Sequence, residues 1–249
     1  MPVKRILLIA ITFVFAMPAA FSQSIKLIGG LGFNASRGSY RGLNFVLDRY
    51  NQTRQGQAGA AKVNTQMGNI NLQTGIGWQF GLLVLPDEDE GLLLYTGINR
   101  IGRAGSTYAT VTNINGGTDR RDVRFTANSV NFELGLGGSY DYYMGMVGGS
   151  LDLITTKAYT KINGGDYKNV MKDDAIGLSF FIDFSVSVSE YVAVGIKPYW
   201  QMVIIETDFT DLNRAINPAT YSRDDYSDVS SSTSNFGAQL QLRFIVGGG

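Results

Sequence analysis

The sequence predicts an all-β protein, an eight-stranded antiparallel transmembrane up-and-down β-barrel, and three observations predict it. Apolar residues alternate with small or polar ones in eight segments of about ten residues, the length and period of a membrane-spanning strand. The connections between these segments alternate between short and long. The N-terminus carries an export signal. Together these features indicate a barrel with short periplasmic turns and long extracellular loops.

The export signal is predicted over residues 1–22. Lys4 and Arg5 form its charged region, and the apolar run that follows, residues 6–17, is shorter than the ~20 residues needed to span a bilayer. Ala20 and Ser22 place small residues at the two positions that a signal peptidase reads. We therefore expect cleavage before Gln23, with residues 23–249 forming one outer-membrane barrel domain.

The eight predicted strands each have one apolar face, because side chains along a strand point to opposite sides in turn. In chain order these faces run over residues 25–33, 70–84, 92–98, 130–140, 147–153, 176–186, 192–204 and 236–246. Pro198 falls inside the seventh strand. Because proline has no N–H for the strand ladder, we expect a bulge or a local kink at this residue.

The connections predict which end of each strand faces the cell exterior. They are short at residues 86–90, around Asp141 and at residues 188–190, and long after strands one, three, five and seven. Two of the long connections contain Asn-Gly-Gly, at 115–117 and 163–165, which favours a tight hairpin turn. Strands three to six should therefore continue above the membrane as hairpins, and we expect residues 108–114 to pair with 121–127.

The residue types on the polar face of the strands indicate whether that face points outward or into the lumen. A soluble lipocalin-like barrel also has eight strands, but it would carry Lys and Glu on its exterior. The polar face here consists mainly of Gly, Gln, Asn, Ser and Tyr, which suits a crowded lumen. The charged residues predicted to point into that lumen are Lys26, Glu133, Asp152, Asp183, Lys197 and Arg243.

The lumen of an eight-stranded barrel is just wide enough to be filled by side chains, and charges buried there must be paired. We therefore interpret the inward charges as a structural polar core. A narrow gated ion path is the alternative. Because the first and last strands close the barrel, Lys26 and Arg243 should lie on neighbouring strands.

Residue types that the chain lacks limit its chemistry. It contains no cysteine and no histidine, and its 21 basic residues match 21 acidic ones. Disulfides, thiolate metal sites and Ser-His or Asp-His catalysis are thereby excluded, and no basic face is available for nucleic acid. The acidic run 87–90 lacks the spacing of a calcium loop, and Asp224 and Asp225 lie in a polar loop. We expect no enzymatic activity, no metal and no cofactor.

The first long loop is the most informative functional candidate. Leu43, Val46, Leu47 and Tyr50 recur at i, i+3, i+4 and i+7, which predicts a helix with one apolar face. This helix either packs over the barrel mouth or docks a partner protein. The last loop, residues 208–234, is rich in Tyr, Asp, Ser and Asn, which favours a disordered loop or a polar, aromatic binding surface.

The eight segments and their loop asymmetry resemble the small outer-membrane barrels of the OmpA/OmpX type, and in particular the PorT-like group of Bacteroidetes-type bacteria. The final strand contains Asn235, Gly237, Leu240 and Leu242 in a spacing that resembles the signal read by the barrel assembly machinery. The usual terminal aromatic residue is absent, because the chain continues through Val246 into three glycines.

The resemblance implies multi-pass insertion in the outer membrane by that machinery, with lipids and lipopolysaccharide around the barrel. It also implies a non-enzymatic protein whose extracellular loops serve structural, adhesive or complex-forming interactions. The PorT-like resemblance implies an alternative, a subunit of an outer-membrane secretion or assembly complex. A narrow channel is the remaining alternative.

Overall fold

The computed structural model describes residues 24–55, 62–85, 91–112, 115–217 and 229–247. The predicted signal peptide, the turn at 86–90 and the Asp224–Asp225 pair lie outside these ranges. In chain order the elements are β1 (Ser24–Gly38), α1 (Arg41–Gln55), β2 (Lys62–Thr65), β3 (Leu72–Leu85), β4 (Leu92–Thr112), β5 (Thr118–Tyr140), β6 (Tyr143–Ile162), β7 (Lys168–Ser189), β8 (Val192–Val203), β9 (Thr207–Asp208), α2 (Thr210–Ile216), β10 (Ser230–Ser231) and β11 (Asn235–Val246).

Eight long strands form a closed antiparallel ring, as the sequence predicts. Its order is β1, β3, β4, β5, β6, β7, β8 and β11, and β1 pairs with both β3 and β11. At the closure Leu31 is opposite Trp78 on one side and Leu242 on the other. Closure leaves no free edge in the barrel wall. No helix within the described ranges is long and apolar enough to cross a membrane.

The outer surface of the ring carries an apolar belt to which all eight strands contribute. Its more exposed members include Leu31, Phe33, Ile76, Phe80, Leu134, Leu136, Val147, Phe180, Phe184, Ile196, Leu240 and Leu242. The side chains that face inward at the same level are mostly polar. Such a belt would be unfavourable in water but matches the hydrocarbon of a bilayer. The barrel is therefore a transmembrane barrel of the outer-membrane type, and the soluble lipocalin-like alternative does not fit.

One residue assigned to the lipid-facing side lies elsewhere. Ile70 was expected to begin the second strand, but β3 begins at Leu72, and Ile70 is buried in an apolar cluster above the barrel. The chain turns inward here, where the backbone oxygen of Asn71 accepts a hydrogen bond from the Gly38 N–H at 2.9 Å. The alternation of polarity alone could not distinguish burial in that cluster from contact with lipid.

The two central hairpins extend far above the belt. β4 and β5 remain paired up to Thr112 and Thr118, and β6 and β7 up to Thr160 and Lys168. The wall is much lower on the other side, where β1, β8 and β11 stop soon after leaving the belt. The extracellular part is consequently a tall, curved sheet that is open on one side.

The turn at 163–165 confirms the predicted hairpin. Asn163 and Gly164 have φ of 50° and 76°, as in a type I′ turn, and Gly165 N–H donates to the Ile162 oxygen at 3.0 Å. In the other hairpin the predicted register is wrong. Tyr108 pairs with Asp122, because the returning strand resumes at Thr118, earlier than expected.

Pro198 causes no bulge, contrary to expectation. The register between β7 and β8 is the same on both sides of it, and the ladder simply lacks partners at Pro198 and Lys197. On its other side Pro198 remains paired with Ala238 of β11. The continuous pairing with β11 therefore keeps the strand in register, although the ladder to β7 is interrupted at the proline. The register shift between these strands lies lower, between Ser187 and Ser189.

The polarity of the strands reverses where they leave the membrane. On β5 the inward side chains Val123 and Phe125 are fully buried and apolar, whereas Asn131 and Glu133 further down are buried and polar. The apolar inner face above the membrane is covered by α1, α2, Phe209 and residues 66–71, which we call the cap. The barrel interior and the cap therefore have separate cores. The barrel interior combines buried polar and charged groups with a second apolar cluster that includes Ile28, Leu93 and Phe181, whereas the core beneath the cap is apolar.

Candidate functional site

The lumen contains an ion pair between opposite walls. Lys197 Nζ on β8 lies 2.6 Å from Glu133 Oε2 on β5, and both side chains are almost fully buried. Tyr95 Oη donates to the same carboxylate at 3.1 Å and Asn99 Nδ2 at 3.0 Å. The Lys197 ammonium also lies 4.0 Å from the centre of the Phe181 ring. These groups meet because alternate residues of a strand point into the lumen, and each of the groups occupies such an inward position.

A second ion pair and an acidic group occupy the same lumen. Arg243 of β11 donates to Asp183 of β7, and both are buried. Asp152 accepts hydrogen bonds from Ser150 at 2.6 Å, from Gln201 at 2.7 Å and from Ser179. Five of the six residues predicted for the polar lumen therefore lie in it and are hydrogen-bonded.

Lys26 does not join these groups. It lies on β1, which neighbours β11 as expected, but it is only half-buried and forms no ion pair with any described residue. The register places Gly30, and not Lys26, opposite Arg243. Lys26 is closer to the periplasmic end of its strand, where an ammonium group can reach water.

Arg103 is a buried lumen residue that the sequence analysis missed. Its guanidinium donates to Asn235 Oδ1 at 2.5 Å and to Gln201 Oε1 at 2.7 Å. Because Gln201 also donates to Asp152, the amide links the two charged groups. Tyr95 of β4 points inward, and every second residue above it does so too, so the alternation along β4 predicts an inward Arg103.

Side chains fill the lumen. The space beside Lys197 and Glu133 amounts to about 10 Å³, enough for roughly one water molecule. Above this space, the side chain of Arg103 crosses the lumen from β4 to Asn235 of β11, and the cap covers the mouth of the barrel. A continuous aqueous path would require both the charged groups and the cap to move.

The apolar face of the first-loop helix packs over the barrel mouth. Leu43, Val46 and Leu47 of α1 are fully buried and Tyr50 is nearly so. The alternative, that this face docks a partner protein, is wrong because none of these four side chains is accessible. Asn51 connects α1 to the segment before β3. Its side-chain amide donates to the Met67 oxygen at 3.0 Å and accepts from the Met67 N–H at 2.9 Å.

Three aromatic rings join the cap to the tall wall. The centroids of Tyr40 and Phe125 are 5.6 Å apart, and those of Phe125 and Phe209 are 5.9 Å apart. Tyr40 Oη donates to Gln73 Oε1 at 3.1 Å. Burial raises the pKa of the Tyr40 hydroxyl above its ordinary value, and the charge of Arg103 opposes this shift only in part.

The last loop contains a helix that the sequence analysis missed. Phe209, Leu212 and Ile216 are fully buried around α2, so this part of the loop is neither disordered nor a polar surface. Their spacing of i, i+3 and i+7 was a usable signal. Asn217 Nδ2 donates to the Val46 oxygen at 3.2 Å and so connects the two cap helices. Residues 218–228 lie outside the described ranges.

The residues of the proposed assembly signal divide between the two faces of β11. Asn235 and Gly237 face the lumen, whereas Leu240 and Leu242 face the lipid. Gly237 makes room for an aromatic ring, because a Cβ at this position would lie 2.5 Å from Tyr199 Oη. Each of these residues thus has a place in the folded barrel, and a role in assembly remains a prediction.

A lateral cleft lies where the wall is low. It has a volume of about 620 Å³ and opens between the start of α1 and residues 229–234. Arg41 and Phe45 line it from α1, and Glu206 lines it from the segment after β8. The other lining residues are mainly small and polar: Ser39, Gly42, Val229, Ser230, Ser231, Ser232 and Ser234. Local sequence patterns give no sign of this cleft, because its lining comes from three segments that are distant in the chain.

The described residues form no cluster of three or more acidic side chains that could hold a metal ion.

Solved structures that are similar to this chain are small outer-membrane barrels. No family model and no curated protein matches the chain. The structure is similar to Ail, the attachment invasion locus protein of Yersinia pestis, with 9% identity, a TM-score of 0.40 and coverage of 89% of this chain and 98% of Ail. It is similar to the outer membrane protein OprG from Pseudomonas aeruginosa, with 8% identity, a TM-score of 0.42 and coverage of 91% and 98%.

Neisserial surface protein A is similar as well, with 10% identity, a TM-score of 0.34 and coverage of 89% of this chain and 96% of that protein. These values describe a general likeness of small barrels. The fold assignment depends on the strand pairing and on the apolar belt described above.

Proposed function

We propose that this protein is a non-enzymatic, non-conducting outer-membrane barrel whose capped extracellular part is a rigid platform for adhesive, structural or complex-forming interactions. The observation that carries the proposal is the combination of a lumen filled by side chains, two buried ion pairs among them, with a cap packed as a separate apolar core. A filled lumen does not suit transport, and a packed cap holds surface groups in fixed positions.

The filled lumen argues against the channel alternative. Glu133–Lys197 and Asp183–Arg243 are both buried pairs, and separating such a pair leaves an uncompensated charge that costs about 3–5 kcal/mol. Gating would also have to move the cap. The chain has no histidine, so the proposal includes no hydrolytic or acyl-transfer activity of the kind that depends on one.

The proposal places the protein with an export signal over residues 1–22, in a Gram-negative outer membrane, among lipids and lipopolysaccharide. Insertion would use the barrel assembly machinery reading Asn235, Gly237, Leu240 and Leu242. The support is the spacing of these residues and the apolar belt of the barrel.

A second candidate is the PorT-like one, a subunit of an outer-membrane secretion or assembly complex. The observation that favours it is the composition of the two hairpin tips. Tyr108, Ile162 and Tyr167 are exposed there, well above the belt. Arg120 lies 4.1 Å from the Tyr108 ring centre and Lys161 lies 4.7 Å from that of Tyr167. Tyrosine with basic neighbours is common where proteins bind one another.

Planar-bilayer recording tests the main proposal. We expect no discrete conductance steps from the purified wild-type protein, and none from Lys197→Ala, because Asp183–Arg243 and the cap remain. Heat-dependent gel mobility would verify that each sample is folded. Regular single-channel steps from folded wild-type protein would contradict the proposal and favour a channel.

Affinity purification from native membranes in mild detergent tests the second candidate. A stoichiometric partner that is lost in the Tyr108→Ser and Tyr167→Ser double variant would support it. Recovery of the barrel alone would contradict it.

A further inference from the structure

We propose that the lateral cleft is a binding site for a neutral or zwitterionic saccharide. This inference rests on the proposed function as a surface platform and specifies one ligand class for it. Four observations carry the inference: the position of the cleft, its free polar groups, its exposed aromatic ring and its balanced charge.

The cleft opens directly above the lipid boundary. Phe236 and Trp200 are register partners at the top of the belt, with exposed fractions of 62% and 52%. Ser234 and Ser39 of the cleft follow immediately above the ends of β11 and β1. A ligand in the cleft would therefore lie at the level of the carbohydrate headgroups of the outer leaflet, and the low wall admits it from the side.

Charged and hydroxyl groups in the cleft are free to bind a ligand. Arg41 and Glu206 are exposed and form no ion pair with any described residue. Ser39 and Ser230 likewise have side-chain hydroxyls without a hydrogen-bond partner in the described ranges. A guanidinium donates in a planar fork, a carboxylate accepts, and a serine hydroxyl does both. Vicinal sugar hydroxyls, each a donor and an acceptor, match this combination.

The remaining serines give the cleft a fixed shape. Ser231 Oγ accepts a hydrogen bond from Gly42 N–H at 2.8 Å and so joins the last loop to the start of α1. Ser234 Oγ accepts from Val203 N–H at 2.9 Å and lies 2.6 Å from Ser232 Oγ. The walls of the cleft are therefore held by hydrogen bonds before a ligand arrives, which lowers the entropic cost of binding.

An aromatic side chain provides the apolar contact that a sugar ring requires. Phe45 is 51% exposed although it lies on a helix whose other large apolar side chains are buried. Its ring can pack against the C–H face of a pyranose while hydroxyls at the ring edge bind the polar groups.

Other ligand classes fit the cleft less well. Free charged and hydroxyl groups in the cleft would be left without partners by a lipid tail, and one carboxylate is too few for a metal ion. The single positive charge of Arg41 is balanced by Glu206, so a strongly anionic polymer would gain little. The volume of about 620 Å³ is that of a small-molecule site. The saccharide could belong to an outer-leaflet glycolipid or to a free oligosaccharide.

Titration of the full-length protein in phosphatidylethanolamine nanodiscs tests the inference. The two probes are the lipid-free core oligosaccharide of lipopolysaccharide, dephosphorylated and with its sugar carboxyls reduced so that it is neutral, and maltoheptaose. Binding is followed by calorimetry and by NMR shifts. We expect a dissociation constant on the order of 1 mM or tighter for one of them. Phe45→Ala, Arg41→Ala and Glu206→Gln should each raise it at least tenfold. Arg124→Ala, an exposed site on the tall wall, is the matched control and should change nothing.

The outcomes separate the sources and the hypotheses. Cleft-dependent binding of the core oligosaccharide supports a glycolipid headgroup, and cleft-dependent binding of maltoheptaose alone supports a free saccharide. Absence of binding by both probes, or binding that persists in Phe45→Ala and Arg41→Ala, overturns the saccharide site. That result would leave the non-conducting platform intact, since the conductance recordings test it separately.

Discussion

Lys197 and Glu133 meet across the lumen, so that one ion pair joins β8 to β5, two strands that are not neighbours in the barrel wall. Hydrogen bonds from Tyr95 and Asn99 extend this connection to β4. Three strands are thus connected through the interior as well as through the backbone ladder. The lumen therefore contributes to stability and does not merely fill space.

The first prediction concerns this pair. Glu133→Gln or Lys197→Met alone should lower the free energy of unfolding by about 3–5 kcal/mol, because the remaining partner is a buried, uncompensated charge. The double variant should lose much less than the sum of the two single variants. Urea unfolding in lipid vesicles would measure all four proteins. Additive single effects would show that the two charges are not coupled.

A second prediction compares two arginines on β4. Arg103 is buried and donates to Gln201 and Asn235, whereas Arg100 is exposed on the outer face between Trp78 and Val130. Arg103→Met should lower the free energy of unfolding by about 1–3 kcal/mol, because the buried Asn235 Oδ1 loses its donor, whereas Gln201 Oε1 still accepts from Asn235 Nδ2.

Arg100→Met is the matched control. It should raise the free energy of unfolding by up to about 1 kcal/mol, since a charge on the lipid-facing surface is unfavourable to a degree that depends on depth. The same vesicle assay applies. Equal losses in both variants would contradict the assignment of the two faces.

The third prediction separates the cap from the barrel. Leu47→Asp places a carboxylate in the fully buried centre of the cap and should unfold it, at a cost of more than about 3 kcal/mol. Limited proteolysis should then cut α1 while the barrel keeps its heat-dependent gel mobility. The neighbouring Asp48 is exposed, so Asp48→Asn should leave α1 resistant. Loss of barrel mobility in Leu47→Asp would mean that the two parts fold as one unit.

A fourth prediction follows from the raised pKa of Tyr40. The folded cap favours the neutral form of the Tyr40 hydroxyl, whose pKa is therefore higher in the folded protein than in the unfolded chain. The stability that neutral Tyr40 contributes is complete below the ordinary pKa of about 10, and it is lost as the pH rises through the higher pKa of the folded protein. The protection factors of the α1 amides, which correct for the base-catalysed rise of the intrinsic exchange rate, should therefore fall above pH 10.

Tyr40→Phe cannot ionise and provides the comparison. Its cap should be weaker by about 1 kcal/mol at neutral pH, since the hydrogen bond to Gln73 is lost, but less sensitive to alkaline pH than the wild type. In a titration followed by tyrosinate absorbance, Tyr40→Phe should show one fewer tyrosine with a raised pKa than the wild type. A parallel pH profile in both proteins would rule out Tyr40 as the responsive group.

The sequence predicts the barrel well because a closed sheet between lipid and lumen imposes a strict period of two. The same parity places Glu133, Lys197, Asp183 and Arg243 correctly inside. It does not say which inward groups touch, since the partners of a lumen residue lie across the ring and depend on the stagger of all the strands. The pairing of Arg243 with Asp183, and the separation of Lys26 from both, required the structure.

The cap and the cleft were harder to predict. Ile70 belongs to an apolar run that fits either a strand or a buried segment, and the helical spacing around α2 is carried by only three apolar residues. The cleft combines Arg41, Glu206 and serines near 230, which are adjacent only after the ring has closed. Local pattern contains no information about such contacts.

The reversal of polarity lies along one line of register partners. Val130, Leu153 and Ile176 are opposite one another on β5, β6 and β7, and they are outward and apolar. One step higher, Ile154 and Ala175 are inward, buried and apolar, while their partner Ser129 on β5 is inward, buried and still polar. That line marks a natural boundary for exchanging parts between barrels. A chimera joined at this line would receive the whole water-facing extracellular part. A chimera joined a few residues to either side would place apolar side chains in water or polar side chains in lipid.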